Sequence, residues 1–409
     1  MPDNKYLETI EWLFQQFPAY HKIGAKAYKP DLTNCHRLCE LFDNPHLKLR
    51  FIHIAGTNGK GSTSSMLASI LQESGEKVGL FTSPHIEDFR ERIRVNGEMI
   101  SEAEVIDFCE EVKSFHLDFE PSFFEITWIM TLLHFLKENC SICVIETGLG
   151  GRLDATNIIN PILSIITNIG LEHTNFLGET YEKIAFEKAG IIKNTIPIVI
   201  GETLPQTKTV FEKIANERKS PIYFAEKSKK QTPNNFPLLG DYQLKNYRII
   251  DTALPILNDL GISITELSIY SGLQNLTINT GFRGRMQIIN KTPLTIMDVS
   301  HNYDGIKATL ESLQKINKGN LKIVYGTSSD KDLDAIFSLF PLNAAYFFTE
   351  FNNERSADLN LLKEKAEILK LNASFFFNPK EALFSAQKTT NEKDTIIVFG
   401  SFFLISDFF

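Results

Sequence analysis

The sequence predicts an α/β fold with mostly parallel strands and two domains. Short apolar runs recur along the 409-residue chain, and longer segments with helical periodicity separate them. This alternation is typical of βαβ units. The chain is also long enough for two domains that each bury a core of their own.

Nine apolar runs are the clearest predicted strands. They are residues 51–55, 78–82, 143–146, 162–167, 196–200, 294–298, 322–325, 346–349 and 395–399. The alternation lapses in a polar, glycine-containing stretch between Gly272 and Arg285 and then restarts. We therefore expect a domain boundary there, which gives domains 1–283 and 284–409.

Composition excludes several classes of protein. With 42 Lys and Arg against 50 Asp and Glu, the formal net charge is −8. A general nucleic-acid or anionic-membrane surface needs a basic stripe, and the basic run 227–230 lies among polar residues typical of a solvated loop. No apolar stretch reaches the roughly 18 residues of a membrane helix, and the N-terminus lacks the apolar core of a signal peptide. We expect a cytoplasmic protein without nucleic-acid or membrane partners.

The five cysteines suit a reducing compartment better than a disulfide framework, because their number is odd in a long chain. Cys140 and Cys143 form a CxxC, but the surrounding apolar run predicts a buried strand rather than the helix N-terminus of a redox motif. Cys35 and Cys39 have no second ligand pair nearby for a metal. All four are predicted to pack in the core.

The strongest local signal is a glycine-rich turn at 56–62, between a predicted strand and an amphipathic helix. Its glycines let the backbone turn sharply, so that N–H groups and the helix N-terminus point at one anion. Lys60 would supply a positive charge for the β- and γ-phosphates. The Walker pattern is not matched strictly, because Ile54 replaces its first glycine and Gly61 separates Lys60 from Ser62. We predict a phosphate-binding loop; the alternative is an ordinary strand-to-helix turn.

Eight segments, taken in chain order, resemble the signatures of one enzyme family. They are GTNGKGS at 56–62, FTSPHIEDFRERIRVNG at 81–97, ETGLGGRLDATN at 146–157, LEHT at 171–174, EKAGIIK at 187–193, GRMQ at 284–287, DVSHN at 298–302 and FGSFFLI at 399–405. The chain resembles the Mur-ligase family of ATP-dependent amide-forming enzymes, and within it the folylpolyglutamate synthase/dihydrofolate synthase branch. The resemblance implies a P-loop ATPase domain with a mostly parallel sheet, followed by a smaller Rossmann-like C-terminal domain.

The resemblance also implies an activity. A bifunctional enzyme of this kind is an ATP-dependent carbon–nitrogen ligase that adds L-glutamate to dihydropteroate, or to the glutamyl tail of reduced folates, through an acyl phosphate. Two Mg²⁺ ions and ATP as cosubstrate are expected, and a hinged two-domain ligase suits a monomer. The alternatives are a Mur-type ligase that acts on a cell-wall precursor and a P-loop protein that uses ATP only to change shape.

Four residues are the implied metal ligands. By resemblance, Ser83 and Glu146 hold the first Mg²⁺, while His173 and Lys188 hold the second, with Lys188 converted by CO₂ to a carbamate. Glu146 ends a predicted parallel strand, where ligands collect in such sheets, and Mg²⁺ prefers oxygen ligands. Carbamylation needs a neutral amine, which desolvation favours. The alternatives are a surface salt bridge for Glu146, a turn cap for Ser83 and an exposed helix position for Lys188.

The resemblance assigns the remaining site residues to ATP, folate and the amino acid. ATP contacts are implied for Thr57, Asn58, Gly59, Lys60, Gly61, Ser62, Asn246, Arg285 and Asp298. Pterin and aminobenzoate contacts are implied for Phe123, Phe124, Arg152 and Asp154, with core packing as the alternative for the two phenylalanines. Lys60, His173, Lys188 and His301 are the expected catalytic residues.

Two parts of the chain depart from the family pattern. Ser300 and Tyr303 stand where the family usually has Ala and Pro, beside the expected amino-acid site at His301. The segment 22–32 takes the place of the family's N-terminal substrate loop but matches it poorly, so no residue role is carried over to it.

Overall fold

A computed structural model describes residues 3–17, 31–227, 233 and 236–409. The chain divides into two compact units, one of Met1–Pro237 and Lys245–Phe282 and the other of Leu238–Leu244 and Arg283–Phe409. The second unit begins within one residue of the expected boundary, but it also takes the segment 238–244. The reason is that Leu239 and Tyr242 pack against its core. The functions assigned to the two domains stay predictions.

The first unit is built on an eight-stranded sheet with the order β4-β3-β2-β5-β1-β6-β7-β8. Its strands are β1 (Phe51–Ala55), β2 (Val78–Phe81), β3 (Ile93–Val95), β4 (Glu98–Met99), β5 (Ile142–Glu146), β6 (Leu163–Ile166), β7 (Ile198–Ile200) and β8 (Ile222–Phe224). All neighbours pair in parallel except β2 with β3 and β3 with β4. The α/β class with a mostly parallel sheet is therefore confirmed.

Helices precede, connect and follow these strands. They are α1 (Asn4–Gln16), α2 (Thr33–Leu41), α3 (Lys60–Glu73), α4 (Glu102–Ser114), α5 (Phe123–Lys137), α6 (Thr174–Leu177), α7 (Tyr181–Ala189), α8 (Pro205–Glu217), α9 (Asp241–Asp259), α10 (Glu266–Gln274) and α11 (Leu276–Thr280). Short 3-10 helices occupy Pro45–Leu47, Phe89–Arg92, Ala155–Ile158 and Ala225–Lys227. The central strands β1 and β5 are buried along their whole length, as expected of parallel strands with both faces covered.

The second unit carries a six-stranded sheet with the order β13-β12-β11-β14-β10-β9. Its strands are β9 (Gln287–Lys291), β10 (Leu294–Asp298), β11 (Leu321–Tyr325), β12 (Ala345–Thr349), β13 (Asn372–Phe376) and β14 (Thr395–Phe399). Its helices are α12 (Tyr303–Ile316), α13 (Leu333–Phe337), α14 (Leu359–Ile368), α15 (Pro379–Lys388) and α16 (Phe402–Ser406). Only β9 pairs antiparallel, with β10. β14 lies between β10 and β11, and the carboxyl ends of parallel strands are where open α/β sheets commonly bind ligands.

The cysteines and the helices settle two expectations about the chain. All five cysteines lie in the described residues, and each is a buried free thiol, which confirms that the four examined above pack in the core. Within the same described residues, no helix is both long enough and apolar enough to span a membrane.

Candidate functional site

The glycine-rich turn joins β1 to α3 and needs glycine at two positions. A Cβ atom on Gly56 would lie 1.8 Å from Thr167 Oγ1, and one on Gly59 would lie 2.3 Å from Asn246 Oδ1. Gly59 also has a φ of +82° and caps α3, a left-handed conformation that glycine adopts without a steric penalty. The loop is thus packed tightly, and the Asn246 side chain lies directly against it.

The loop is held by the segment that follows the neighbouring strand β6. Thr57 N and Asn58 N donate to the backbone and side-chain oxygens of Asn168, at 3.0 and 2.9 Å. Gly170 N donates to Thr57 Oγ1 at 2.9 Å, and Thr167 Oγ1 donates to Asn58 O at 2.6 Å. Sequence reasoning missed this support, because Thr167 and Asn168 lie far from the loop along the chain and no motif marks them.

Two lysine amines converge on one carbonyl oxygen of the loop. Lys60 Nζ donates to Gly56 O at 3.0 Å and to Thr57 O at 3.2 Å, and Lys188 Nζ donates to Gly56 O at 2.9 Å. Lys188 is only 4% exposed. Burial, followed by repulsion from Lys60, lowers the pKa of Lys188 to about 7. Lys188 is therefore not an exposed helix residue, and its neutral form is accessible near physiological pH.

Glu146 reaches the same edge of the sheet from β5. In the parallel register of β1 and β5, Glu146 lies opposite Ile54, two residues before the loop begins. The carboxyl group is 3% exposed and accepts a hydrogen bond from Ser83 N at 3.1 Å. A surface salt bridge is excluded for Glu146 because the residue is buried. Ser83 and Glu146 therefore lie together at the edge that carries Lys60.

These two residues fit a metal ion that arrives with a nucleotide. A carboxylate and a hydroxyl are oxygen ligands of the kind that Mg²⁺ prefers, and Mg²⁺ at phosphates commonly takes only one or two ligands from the protein. Among the described residues, no group of three or more His, Cys, Asp and Glu side chains is arranged to hold a metal. The donor set is therefore suited to a magnesium–nucleotide complex rather than to a self-contained metal centre.

His173 lies in the loop after β6, where it caps the short helix α6 with a φ of +53°. Its carbonyl oxygen accepts hydrogen bonds from Phe176 N and Leu177 N, at 2.9 and 3.0 Å. The adjacent Glu172 attracts the Lys188 amine electrostatically. His173 thus lies in the loop that follows β6, the strand that pairs with β1. Metal binding by its imidazole stays a prediction.

In the second unit, Asp298 is a buried carboxylate at the end of β10. Its Oδ2 accepts hydrogen bonds from Tyr242 Oη at 2.7 Å and Met286 N at 2.8 Å, and its Oδ1 accepts from Ser300 N at 2.8 Å. Burial and the Asp298 charge raise the pKa of Tyr242 well above its ordinary value. Sequence reasoning missed Tyr242, which lies far from Asp298 along the chain.

His301 and Arg285 flank one aromatic ring in the second unit. His301 Nδ1 donates to Val299 O at 3.0 Å, and its ring centroid lies 5.7 Å from that of Phe402. The Arg285 guanidinium carbon lies 5.7 Å from the same Phe402 ring. Tyr303, the first residue of α12, is 41% exposed. Both expected residues thus lie where β10 and β14 end.

The two phenylalanines of the expected pterin site have different surroundings. Phe123 is 3% exposed and stacks on Phe14 with ring centroids 4.8 Å apart. The Phe123 ring is thus part of the core, the alternative that the sequence left open, and a substrate contact by it stays a prediction. Phe124 is half-buried, and its ring lies so close to Gly148 that a Cβ there would be 2.7 Å from Phe124 Cζ. A substrate contact by Phe124 stays a prediction.

Asp154 and Arg152 make contacts within the protein. The buried Asp154 accepts hydrogen bonds from Leu149 N at 2.7 Å and Thr156 N at 3.1 Å, and burial raises its pKa. Asp154 thus organises its own loop, and a substrate contact by it stays a prediction. Arg152 is half-exposed and pairs with Glu187 at 2.9 Å, an ion pair of a kind that contributes about 0–1 kcal/mol.

Parts of two sequence segments fall outside the described residues. Of the candidate substrate segment 22–32, only residues 31–32 are described, and of the basic run 227–230 only Lys227 is described. The expectations for the other residues of both segments therefore lie outside the structure.

Comparison with known proteins agrees with this site. The Mur ligase middle domain matches residues 54–291, and the Mur ligase glutamate ligase domain matches residues 284–402. A Bacillus subtilis protein named dihydrofolate synthase/folylpolyglutamate synthase is 32% identical, and the match covers 98% of each chain.

Two solved structures resemble the whole chain. Escherichia coli FolC in complex with DHPP and ADP matches with a TM-score of 0.82 and 26% identity, over 98% of this chain and 96% of that one. The bifunctional folylpolyglutamate synthase/dihydrofolate synthase of Yersinia pestis, complexed with AMPPNP and a Mn ion, matches with a TM-score of 0.84 and 26% identity, over 99% and 98%. Fold and phosphate-binding loop thus define an ATP-dependent ligase. The chain belongs to the dihydrofolate synthase/folylpolyglutamate synthase family of Mur ligases.

Proposed function

We propose that this ligase adds L-glutamate to dihydropteroate, to the glutamyl tail of reduced folates, or to both, with ATP as cosubstrate. The observation that carries the proposal is the convergence of Lys60, Lys188 and Glu146 at one edge of the first sheet. The complexes of the similar E. coli and Y. pestis proteins, with DHPP and ADP and with AMPPNP and a Mn ion, support the substrate class.

The first step is activation of the acid. The loop N–H groups, the N-terminus of α3 and Lys60 would hold the phosphates of ATP. An oxygen of the substrate carboxylate attacks the γ-phosphorus, the bond to the β-phosphate breaks, and ADP and an acyl phosphate form. Lys60 is already held beside the loop by Gly56 O and Thr57 O, so little reorganisation is needed to meet the developing charge.

The second step forms the amide. The amine of L-glutamate attacks the acyl carbonyl, the tetrahedral adduct expels phosphate, and the amine nitrogen loses its proton. No side chain has to act as a covalent nucleophile, so the contribution of the protein is orientation, charge stabilisation and exclusion of water from the acyl phosphate. We assign His301 to the amino-acid site and assign Asn246, Arg285 and Asp298 to ATP.

Two Mg²⁺ ions complete the proposed site, one held by Ser83 and Glu146 and the other by His173 and a carbamylated Lys188. When bound, the ions neutralise charge on the phosphates. Burial of Lys188 and its pKa of about 7 support the carbamate, because CO₂ reacts with a neutral amine. Carbamylation replaces the ammonium, which would repel a metal ion, with an anionic oxygen ligand.

The remaining proposals concern the whole chain. Residues 1–283 would form the ATPase and folate-binding domain and residues 284–409 the ligase domain, with Phe124 and Arg152 on the folate side. We further propose that the protein is cytoplasmic and that it is a monomer. Light scattering of the purified chain would test the oligomeric state.

The proposal is tested by turnover with dihydropteroate and with tetrahydrofolate in parallel, each with and without L-glutamate. We expect ADP release that depends on L-glutamate with at least one of the two acids, together with a product enlarged by one glutamyl unit. ADP release that ignores both acids would contradict the proposal. Turnover only with a nucleotide-linked cell-wall precursor would favour a Mur-type activity instead.

A further inference from the structure

Arg92 is a buried arginine that none of the roles above uses. It ends the 3-10 helix Phe89–Arg92 and is 4% exposed. Burial lowers its pKa to about 10, while the charges of Glu146 and Glu91 oppose that decrease. A guanidinium is costly to bury and is rarely found in the interior without partners. Its surroundings therefore indicate what it does.

Arg92 bonds to both ends of the turn that contains Ser83. Its carbonyl oxygen accepts a hydrogen bond from Thr82 N at 3.1 Å, and its Nε donates to His85 Nδ1 at 2.8 Å. Thr82 precedes Ser83, and His85 follows it by two residues. We define residues 82–85 as the metal-binding turn: the backbone of Arg92 holds its start, and the Arg92 side chain clamps its end.

The same guanidinium also acts on Glu146. Arg92 and Glu146 attract each other, and Glu146 in turn accepts the hydrogen bond from Ser83 N at 3.1 Å. The Arg92 side chain therefore holds the end of the turn that contains Ser83, and its charge attracts Glu146. Partners that orient metal ligands in this way commonly change metal affinity about 10–100-fold when they are removed.

The neighbouring acidic residue Glu91 organises the next stretch of chain. Its carboxylate accepts hydrogen bonds from Ile86 N, Glu87 N and Asp88 N, at 2.9 to 3.0 Å. Arg90, two residues before Arg92 on the same 3-10 helix, pairs instead with Asp88 at 2.7 Å. Arg90 therefore offers a matched arginine that does not touch the metal-binding turn.

We propose that Arg92 is a positioning residue that orients Ser83 and Glu146 for a divalent metal ion bound with the nucleotide. This inference rests on the proposed function for its choice of metal site. A positioning role and a purely electrostatic role of Arg92 predict opposite changes in metal affinity for Arg92→Gln. Loss of the side-chain bond to His85 would release the end of the metal-binding turn and weaken metal binding, whereas loss of a nearby positive charge alone would strengthen it.

The test is a titration of Mn²⁺ into the full chain with AMPPNP, followed by electron paramagnetic resonance, together with the KM for Mg²⁺ and kcat during turnover. We expect Arg92→Gln to bind Mn²⁺ about 10-fold more weakly, with a raised KM for Mg²⁺. Arg90→Gln should have the Mn²⁺ affinity and the KM for Mg²⁺ of the wild-type chain. Unchanged or tighter Mn²⁺ binding in a folded Arg92→Gln variant would overturn the inference.

A second pair of variants tests the clamp without removing Arg92. His85→Asn keeps a side-chain acceptor near the position of Nδ1, and His85→Leu does not. We expect His85→Leu to weaken Mn²⁺ binding and His85→Asn to preserve most of it; equal affinities would contradict the clamp. The metal titration uses no folate. A chain that shows these Mn²⁺ effects but does not turn over with pteroates would therefore refute the proposed function and leave this inference standing.

Discussion

Lys188 and His53 show how burial sets the charge of basic side chains near β1. Burial is the main cause that lowers the pKa of Lys188 to about 7 and that of the fully buried His53 to about 3. His53 Nε2 lies 2.8 Å from Thr156 Oγ1, and its neutral ring fits this pairing. Both groups therefore favour the neutral form in the folded chain.

The low pKa of His53 predicts a loss of stability in acid. Between about pH 6.5 and pH 3 the unfolded chain binds a proton at His53 and the folded chain does not, so the stabilisation is present above 6.5 and is lost as the pH falls. From pH 7 to pH 5 this residue should lower the free energy of unfolding by about 2 kcal/mol. Urea unfolding of His53→Gln should show a pH dependence that is smaller by that amount, and equal dependences would contradict the prediction.

Lys188 gives a prediction about chemical rescue. If its carbamate supplies an anionic oxygen at the second metal, Lys188→Ala should lose turnover, and small carboxylic acids such as acetate should restore part of it. Turnover is measured by ADP release with glutamate and a pteroate. Lys193→Ala serves as control, since burial also lowers the pKa of Lys193 but the residue has no assigned role. The carbamate would be contradicted if acetate did not restore turnover of Lys188→Ala, or if acetate raised turnover of Lys193→Ala equally.

Gly59 gives a prediction about the phosphate loop. Gly59→Ala combines an unfavourable positive φ with a collision between the new Cβ and Asn246 Oδ1, and overpacking of this kind costs about 1–3 kcal/mol. We expect nucleotide affinity, measured by calorimetry with AMPPNP, to fall about 10-fold or more. Gly75→Ala is the matched control, because Gly75 has a φ of +91° and open space around it. An equal effect in both variants would assign the loss to backbone strain alone.

Sequence reasoning selects candidate residues that a local motif marks. Lys60 and Glu146 were identified because a glycine-rich turn and a strand end mark them. The burial of Asp154 was not predicted, and that of Phe123 was only one of two alternatives, because a sequence does not reveal that a polar or aromatic group within a motif is turned inward. Arg92 was missed because an arginine among charged neighbours is usually exposed.

Among the structural elements, buried strands were predicted well and edge strands were not. All nine predicted strands are present, with ends shifted by up to two residues. Their apolar runs are the signature of strands covered on both faces. The sheet-edge strands β8, β9 and β13 were missed because none of them is a fully buried apolar run, and β3 and β4 were missed because both are very short.

The hydrogen bond from Tyr242 of α9 to Asp298 of β10 gives a prediction about the packing of these two structural elements. Tyr242→Phe removes one of the two hydrogen bonds to Asp298 Oδ2, and a hydrogen bond to a charged group contributes about 1.5–3 kcal/mol. We expect the free energy of unfolding to fall by about that amount in urea. Tyr303→Phe, at an exposed tyrosine of the same unit, should change it little. Equal stability of the two variants would contradict the assigned role of Tyr242.

At the scale of the whole molecule, the net charge of the chain has the same sign as the charges of the proposed substrates and repels them. The chain carries a formal charge of −8, and ATP, L-glutamate and folates are all anions. Attraction must therefore come from local charge, and Lys60 and Arg92 are both held at or near the phosphate-binding edge of the first sheet. The acidic surface elsewhere then limits non-specific binding to other polyanions.

The account as a whole depends on activation of a carboxylate by ATP. It is tested most directly with dihydropteroate whose carboxylate is labelled with oxygen-18, turned over with ATP and L-glutamate. An acyl phosphate requires one labelled oxygen to leave in the released phosphate for each amide formed. Phosphate that carries no label, from a reaction that still forms the amide, would contradict the account.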